Sequence, residues 1–354
     1  MAGILLSEIK TPFVNDVTLK RVMASKVKDN IFQNIFTRPG EAVTEEFTED
    51  TDAAQIQVIR VKPIDDDARE IGAEHNGEWF NSGKTHTSST EAYGITILTT
   101  IDGNIDIPTN MQDMINVGMA EAELTNLSGR VYRNVNALTF AAQLKTNFNA
   151  KVAGKNNWVV LDASAPDYLA AIIEAGAKLD DGNSEQGIDA YPDNFRAVFV
   201  RSSAKASLLK KGQIIIGGSN YAQDILRNGG LDADTNPEVA TTGFLGYVDN
   251  MPVYMASQAV WTLAERYLGL DAGALSGVEM LIVSGVGTGR ALAFNAAIKM
   301  IDSPNGQGRR IQPKYRMGAE CWDWASVVPV VKSDFENPAT AENLLSVVAP
   351  GSRK

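Results

Sequence analysis

An unusually long apolar stripe between residues 109 and 147 limits what this chain can fold into more than any other sequence feature. Apart from a gap over Ala120 and Glu121, apolar residues recur there every three or four positions, the spacing that places side chains along one face of an α-helix. The stripe consists of Met114, Val117, Leu124, Leu127, Val131, Val135, Leu138 and Ala142. About 38 residues at ~1.5 Å each give roughly 55 Å, longer than a small globular core. The sequence therefore predicts one long helix that organises the fold.

The start of this helix carries its own signal. Thr109 and Gln112 form a capping-box pattern directly after Pro108. Gly118 and Gly129 interrupt the pattern and the heptads are not strict. We therefore do not predict a coiled coil.

Strand-like segments precede the long helix. Residues 55–61 and 93–98 are rich in β-branched residues and alternate in character. Some thirty largely polar residues separate them, a length that is uncommon for a loop inside a compact domain. An extended two-stranded excursion explains this arrangement. Residues 1–40 are predicted to form an arm, with a possible helix over 17–36 that ends before Arg38-Pro39-Gly40.

The segment that follows the long helix, residues 155–300, is typical of a compact region that mixes helices and strands. Helices are predicted over 167–179 and 202–211, and strands over 195–200 and 278–284. Two short strands around a turn are predicted within 243–254, and strand character returns over 311–332.

Composition excludes several protein classes. Hydrophobic residues make up 44% of the 354 residues, enough for a sizeable core, and the net charge of −11 argues against a general nucleic-acid binder. Cys321 is the single cysteine, so no intrachain disulfide is possible. The first ten residues lack the pattern of a signal peptide, and no apolar run is long enough for a membrane helix. These features predict a protein of the cytoplasm.

Charge is distributed unevenly along the chain. Residues 1–40 hold six basic and three acidic side chains, a net charge of +3. Residues 41–95 hold four basic and thirteen acidic ones, a net charge of −9. Residues 299–316 hold five basic side chains against Asp302 alone, a net charge of +4. Such blocks are usually solvated surface, but they are also typical of complementary faces that meet between subunits.

Motifs that would indicate an enzyme are incomplete. The glycine-rich stretch 285–289 follows a predicted strand, but Arg290 stands where the third glycine of a dinucleotide fingerprint belongs. The stretch 83–85 resembles part of a phosphate loop, but Glu78 replaces its earlier glycine. We interpret both stretches as turns, and we expect no cofactor.

No metal or nucleophilic site is predicted. His75 and His86 are the only histidines, and their spacing from Asp65, Asp66, Asp67 and Glu74 matches no compact ligand pattern. Cys321 lies in an apolar strand without a histidine nearby in sequence, which favours a buried structural thiol over a nucleophile.

The order and lengths of these parts resemble those of the major capsid proteins of tailed double-stranded DNA bacteriophages, which have the Hong Kong 97-type fold. The resemblance rests on the basic arm with its long excursion, the long helix, a central domain with the stretch Gly243-Phe244-Leu245-Gly246-Tyr247-Val248-Asp249-Asn250-Met251-Pro252-Val253-Tyr254, and the closing region 311–332. That stretch is similar to the family's pattern of two glycines, a small turn and Pro-Val. Together these parts span nearly the whole chain.

The resemblance implies an α+β fold with four parts. These are an N-terminal arm over 1–45, an extended hairpin called the E-loop over 46–95, a peripheral domain over 96–154 and 300–354 with the spine helix over 109–147, and an axial domain over 155–299. It also implies a structural shell protein, not an enzyme, that self-assembles into hexamers and pentamers of an icosahedral head. The implied location is the virion capsid, assembled in the host bacterial cytoplasm.

The resemblance implies contacts between subunits as well. The E-loop would lie over a neighbouring subunit and the arm would thread beside another, so the acidic block would meet the basic blocks. The predicted contact residues are Lys20, Arg21, Lys26, Lys28, Glu45, Glu46, Glu49, Asp50, Asp65, Asp66, Asp67, Arg309, Arg310, Lys314 and Arg316. Implied partners besides the chain itself are a scaffolding protein, a portal and packaged double-stranded DNA held by non-specific proximity. A decoration protein is a further candidate, and no membrane is implied.

Other interpretations stay open. Some members of the family join subunits through a Lys–Asn isopeptide bond, and Lys62 or Lys84 with Asn305 would be the candidates, although nothing in the sequence selects them. An encapsulin-like nanocompartment shell protein has the same fold and is the main alternative function. A nicotinamide-dependent or other enzyme is a third hypothesis, supported only by the glycine stretch at 285–289.

Overall fold

A computed structural model describes most of the chain after the arm. Backbone is described for residues 55–61, 90–96, 98–101, 105–108, 117–162, 164–186, 188–210, 244–249, 251–293, 298–302 and 308–348, and side chains within 133–290 and 317–348. The predicted arm lies outside the described residues.

The long predicted helix is α1, which spans Val117–Val152. It is 36 residues long and continues through Gly118 and Gly129, because an isolated glycine weakens a helix by only about 1 kcal/mol. The predicted end is residue 147, and α1 ends five residues later at Val152. Gly154 follows with φ of 85°. The predicted start at residues 109–116 lies outside the described residues.

The strands before α1 are β1 (Gln55–Val61), β2 (Thr90–Thr96), β3 (Leu98–Ile101) and β4 (Ile105–Pro108). β1 and β2 pair antiparallel in a sheet of their own, with Val61 opposite Thr90. The two strands predicted on either side of the long polar segment are thus paired with each other. Residues 62–89, between them, lie outside the described residues.

The elements after α1 follow the predicted order. They are β5 (Val159–Leu161), α2 (Tyr168–Asp180), β6 (Arg196–Val200), α3 (Ser202–Lys210), β7 (Phe244–Val248), β8 (Met251–Met255), α4 (Gln258–Tyr267), β9 (Val278–Ser284), β10 (Thr288–Ala293), β11 (Ile298–Asp302), β12 (Gly308–Cys321) and β13 (Val327–Lys332). The helices α2 and α3 and the strands β6, β7, β8 and β9 agree with the sequence predictions to within one or two residues.

A mixed six-stranded sheet forms the centre of the described chain, in the order β5-β13-β9-β6-β8-β7. The pairs β13–β5 and β6–β8 are parallel, and the other pairs are antiparallel. Asp249, with φ of 49°, sits in the tight turn between β7 and β8, where an aspartate tolerates a left-handed backbone. The α+β class predicted from the sequence is confirmed.

Two hydrophobic clusters cover the two faces of this sheet. Because side chains alternate along a strand, Ala197 and Phe199 of β6 face the first cluster, while Val198 and Val200 face the second. The first cluster joins the sheet to α1 and α4, and the second joins it to α2 and α3. The result is three layers with helices on both faces of the sheet.

The second sheet is organised around β12. This 14-residue strand pairs antiparallel with β10, β11, β3 and β4. The strand character predicted over 311–332 thus belongs to two strands in different sheets, separated by a short turn at Trp324–Ser326. β13 lies in the six-stranded sheet, beside strands drawn from residues 155–299.

Candidate functional site

A buried polar junction attaches the end of α1 to the six-stranded sheet. Asn147 Nδ2 donates to Asn157 Oδ1 at 2.8 Å and to the Val327 carbonyl at 2.7 Å. Trp158 Nε1 donates to Asn147 Oδ1 at 2.6 Å, and Asn157 Nδ2 also donates to the Val327 carbonyl, at 2.7 Å. Since these side chains are buried and hydrogen-bonded to each other, the long helix meets the sheet in one defined orientation.

Asp323 is the centre of a second buried network, next to this junction. Its carboxylate accepts hydrogen bonds from Asn183 Nδ2 at 2.7 Å, from the Tyr191 hydroxyl at 2.5 Å and from the Ala325 amide at 3.2 Å. The Ser326 hydroxyl donates to the Asp323 carbonyl at 2.7 Å. These contacts hold the turn through which the chain passes from β12 to β13.

The glycine stretch at 285–289 is part of the same region. Gly285–Gly287 forms a buried 3-10 turn between β9 and β10. The amide of Trp322 donates to the Gly287 carbonyl at 3.0 Å. A dinucleotide fingerprint requires a helix after the glycines, whereas here strand β10 follows, so the interpretation as a plain turn is confirmed.

Gly287→Ala is expected to destabilise the protein by about 1–3 kcal/mol, the usual range for overpacking a filled interior. A methyl group on Gly287 would lie 2.5 Å from Ser326 Cβ and 3.0 Å from Asp323 Cβ. Urea denaturation of Gly287→Ala and of the double variant Gly287→Ala/Ser326→Gly measures this. The double variant is expected to regain part of the loss, and equal stability of the single variant and wild type would contradict the packing.

Cys321 is buried at the end of β12, as the sequence predicts. Burial raises the pKa of its thiol to about 12, and the nearby Asp323 carboxylate adds to the increase. The thiol therefore stays protonated at neutral pH and is not a nucleophile in the folded chain.

The Cys321 thiol is expected not to react with Ellman's reagent at pH 8 in the folded chain, and to react fully, one thiol per chain, in denaturant. The unfolded thiol ionises near pH 8.5, while the folded thiol ionises near pH 12. The unfolded state thus loses its proton first, so this group lowers stability as pH rises between these values. Rapid stoichiometric labelling of folded protein would contradict the burial.

Buried charges connect α3 and α4 to β9. The Arg201 guanidinium donates to the carbonyls of Val278 at 2.5 Å and Leu275 at 2.7 Å, and lies 4.3 Å from the centroid of the Trp261 ring. Burial lowers the pKa of Arg201, while the carboxylates of Glu279 and Glu265 act in the opposite direction. Because every charge has partners, this cluster is a structural element and not a binding site.

Most of the sequence-predicted contact residues lie outside the described residues. These are Lys20, Arg21, Lys26, Lys28, Glu45, Glu46, Glu49, Asp50, Asp65, Asp66 and Asp67. The remaining four, Arg309, Arg310, Lys314 and Arg316, lie on β12, where the backbone register is described.

The register of β12 separates these four residues into two pairs. Arg309 is opposite Asp302 of β11, and Arg310 is opposite Asp106 of β4. Lys314 is opposite Ile101, and Arg316 is opposite Thr99 and Ala293. The backbone register thus places an acidic residue opposite Arg309 and Arg310 but not opposite Lys314 or Arg316, so we choose the latter two as candidates for a contact with another chain.

Sequence reasoning missed an exposed face on α2 and α3. The apolar spacing of residues 167–179 predicts the helix, but it does not show that Ile173 remains 50% exposed in the folded chain. Leu209 of α3 is 39% exposed in the same helical layer. The adjacent isoleucines Ile172 and Ile173 were the available signal, because neighbouring helix positions point ~100° apart, so the second isoleucine can lie at the edge of the buried face.

Within the described ranges, no helix is both long enough and apolar enough to cross a membrane. Across those same residues, no group of three or more His, Cys, Asp or Glu side chains is arranged to hold a metal ion.

Comparison with solved structures decides the fold. One chain, described as the capsid of Ralstonia phage GP4, matches with a TM-score of 0.54 at 10% sequence identity, over 87% of this chain and 93% of that chain. This chain has the fold of that phage capsid chain. A chain from the capsid of the cyanophage P-SCSP1u matches with a TM-score of 0.48 at 11% identity, over 86% of this chain and 88% of that one. Neither a family model nor a curated protein sequence matches.

Proposed function

We propose that this chain is the major capsid protein of a tailed double-stranded DNA phage and builds the shell of its head from hexamers and pentamers. The observation that supports this is the shared fold with the Ralstonia phage GP4 capsid chain, which extends over 87% of this chain. The protein is structural in this proposal, and its contacts with other copies replace an active site. Its partners are scaffolding protein, portal and packaged DNA, with a decoration protein as a further candidate, and its location is the virion.

The proposal includes a division of the chain into the arm over 1–45, the E-loop over 46–95, the peripheral domain over 96–154 and 300–354, and the axial domain over 155–299. The antiparallel pairing of β1 with β2 supports an extended hairpin in the E-loop segment. The location of β13 in the six-stranded sheet favours a peripheral domain that shares this strand with the axial domain.

In this proposal, contacts between the charge blocks determine how neighbouring subunits are aligned with each other. The acidic segment over 41–95 would dock against the basic arm and the basic segment over 299–316 of neighbouring copies. Each exposed ion pair contributes only ~0–1 kcal/mol, but the contact is repeated in every copy of the shell. Such contacts weaken as salt concentration rises, because counterions screen exposed charges.

Reversal of Lys314 and Arg316 to Glu tests this docking, and reversal of Arg309 and Arg310 is the matched comparison. The first variant is expected to lower particle yield and to change its salt dependence. The second is also expected to disturb pairing of β12 with β11 and β4, and thus thermal stability. Wild-type yield and salt dependence for Lys314→Glu/Arg316→Glu would contradict the docking.

Sedimentation velocity of the chain expressed with its neighbouring genes tests the function itself. Shells, or rings of five or six copies, sediment far faster than a single chain of 38.1 kDa. A protein that stays monomeric or dimeric under these conditions would contradict a capsid function. Particle diameter separates a phage-sized head from an encapsulin-like compartment, which has less support because the matching Ralstonia phage GP4 chain is described as a capsid.

A further inference from the structure

The helical layer formed by α2 and α3 has an inner and an outer side. The inner side contributes Ala171, Ile172, Ala175, Leu179, Ala204 and Leu208 to the second hydrophobic cluster. The outer side of α2 exposes Ala170, Ile173, Glu174 and Ala177, which we call the outer α2 face. Three of these four residues are apolar, so this face differs from an ordinary solvated helix surface.

Charge on the outer α2 face is largely cancelled within the helix. Glu174 pairs with Lys178 at 3.4 Å, one helical turn away. The two ends of the helix stay acidic through exposed Asp167 before it and exposed Asp181 after it, while Asp180 pairs with Arg196 at 2.6 Å. The face thus has an apolar centre between acidic ends.

The helix α3 has the opposite character. Its nine residues, Ser-Ser-Ala-Lys-Ala-Ser-Leu-Leu-Lys, include two lysines and no acidic residue. On its outer side Ala206 and Leu209 are exposed, and Lys205 is partly exposed next to them. An apolar patch flanked by basic charge on α3 is complementary to the apolar patch flanked by acidic charge on α2.

We propose that the outer α2 face of one copy docks against α3 of a second copy of the same chain, with Ile173 and Leu209 at the centre of the contact. The inference rests on the proposed shell function and names the surfaces that join subunits within a ring. Because the two surfaces are different, the contact can repeat head-to-tail from copy to copy, and a head-to-tail contact closes into rings when its rotation permits. An α2–α2 contact would bring acidic ends together, which disfavours it.

The first test uses Ile173→Glu and Leu209→Glu, with Leu344→Glu as the control. All three side chains are exposed, and Leu344 lies on the C-terminal segment away from both helices, with 56% exposure. Native mass spectrometry and sedimentation are expected to show at least a tenfold loss of rings and shells for the first two variants and none for the control. Unchanged circular dichroism and melting temperature show that the variants fold.

Mixing the two variants tests the head-to-tail geometry. An Ile173→Glu subunit keeps an intact α3, and a Leu209→Glu subunit keeps an intact α2 face, so one good contact forms between them. The mixture is expected to yield one-to-one dimers that do not extend into rings. If Ile173→Glu blocks assembly while Leu209→Glu does not, α3 is not the partner and the proposal fails.

Charge exchange gives an independent test. Asp181→Lys and Lys205→Glu are each expected to lower ring yield several-fold, and the double variant is expected to regain most of it. A double variant that assembles worse than either single variant would overturn the pairing of these two helices. If wild type and the Leu344→Glu control form shells and all the α2 and α3 variants do so equally well, this inference fails while the shell function stands. If wild type itself forms none, the function fails.

Discussion

Replacement of Asp323 by alanine is expected to lower the free energy of unfolding by about 3–5 kcal/mol, since each buried donor left without its acceptor costs about 1–3 kcal/mol. Three donors lose their acceptor: the Asn183 amide, the Tyr191 hydroxyl and the Ala325 backbone amide. These effects share one site, so they do not simply add. The loss is a large part of the stability of a typical domain.

Chemical denaturation of assembly-deficient subunits, for example in the Ile173→Glu background, measures this effect without a contribution from the shell. Tyr191→Phe is the matched comparison, because it removes one of the three donors and keeps the ring. It is expected to cost about 1 kcal/mol, near the net value of a single hydrogen bond. Equal stability of Asp323→Ala and Tyr191→Phe would show that Asp323 does not organise the turn.

Trp261→Ala is expected to lower the free energy of unfolding by about 3–5 kcal/mol, the range for removing a large aromatic side chain from a core. Trp261 is fully buried on α4, and its ring centroid lies 5.0 Å from that of Phe140 on α1. The ring also lies against the buried guanidinium of Arg201. The substitution thus opens a cavity between α1 and α4 and removes a cation–π contact.

The same denaturation experiment measures this loss, with Trp261→Phe as the control that keeps much of the apolar volume. The control is expected to lose less than half as much. A cost below about 1 kcal/mol for Trp261→Ala would contradict the packing of α4 on α1, because a cavity of this size in a rigid core destabilises a protein by about 3–5 kcal/mol.

Local patterns predicted the elements whose side chains repeat regularly. The stripe that ends at Ala142 predicts α1, and β9 (Val278–Ser284), with its apolar run over residues 280–283, is buried at every position in the structure. The tight turn at Asp249 was also predictable, because its chemistry depends only on adjacent residues. In each case the signal lies within a short window of sequence.

Elements that depend on distant partners were not predicted correctly. Helix α4 was missed, and β12 and β13 were predicted as one strand region. Helix α4 has Val260, Trp261, Ala264 and Tyr267 at helical spacing, but its ten residues are shorter than the window over which such a pattern is recognised. Its Glu265 is buried against the amides of Gly273 and Leu275. The change of sheet after Cys321 depends on Asp323 bonding to side chains more than 130 positions earlier. No local pattern records such a contact.

The candidate contact surfaces were also predictable only in part from the sequence. Charge blocks are visible in the sequence, and they predict Arg309 and Arg310 as contact residues. The register shows an acidic residue opposite each of them, which sequence order alone does not show. The exposure of Ile173 and Leu209 became evident only when the inner faces of α2 and α3 were assigned to the sheet.

Electron microscopy of negatively stained particles, from cells that express this chain with its neighbouring genes, tests the central claim most directly. The account predicts closed icosahedral shells of phage-head size, built from rings of five and six copies. Fields that show only single subunits or irregular aggregates, from protein that is folded by circular dichroism, would contradict the account.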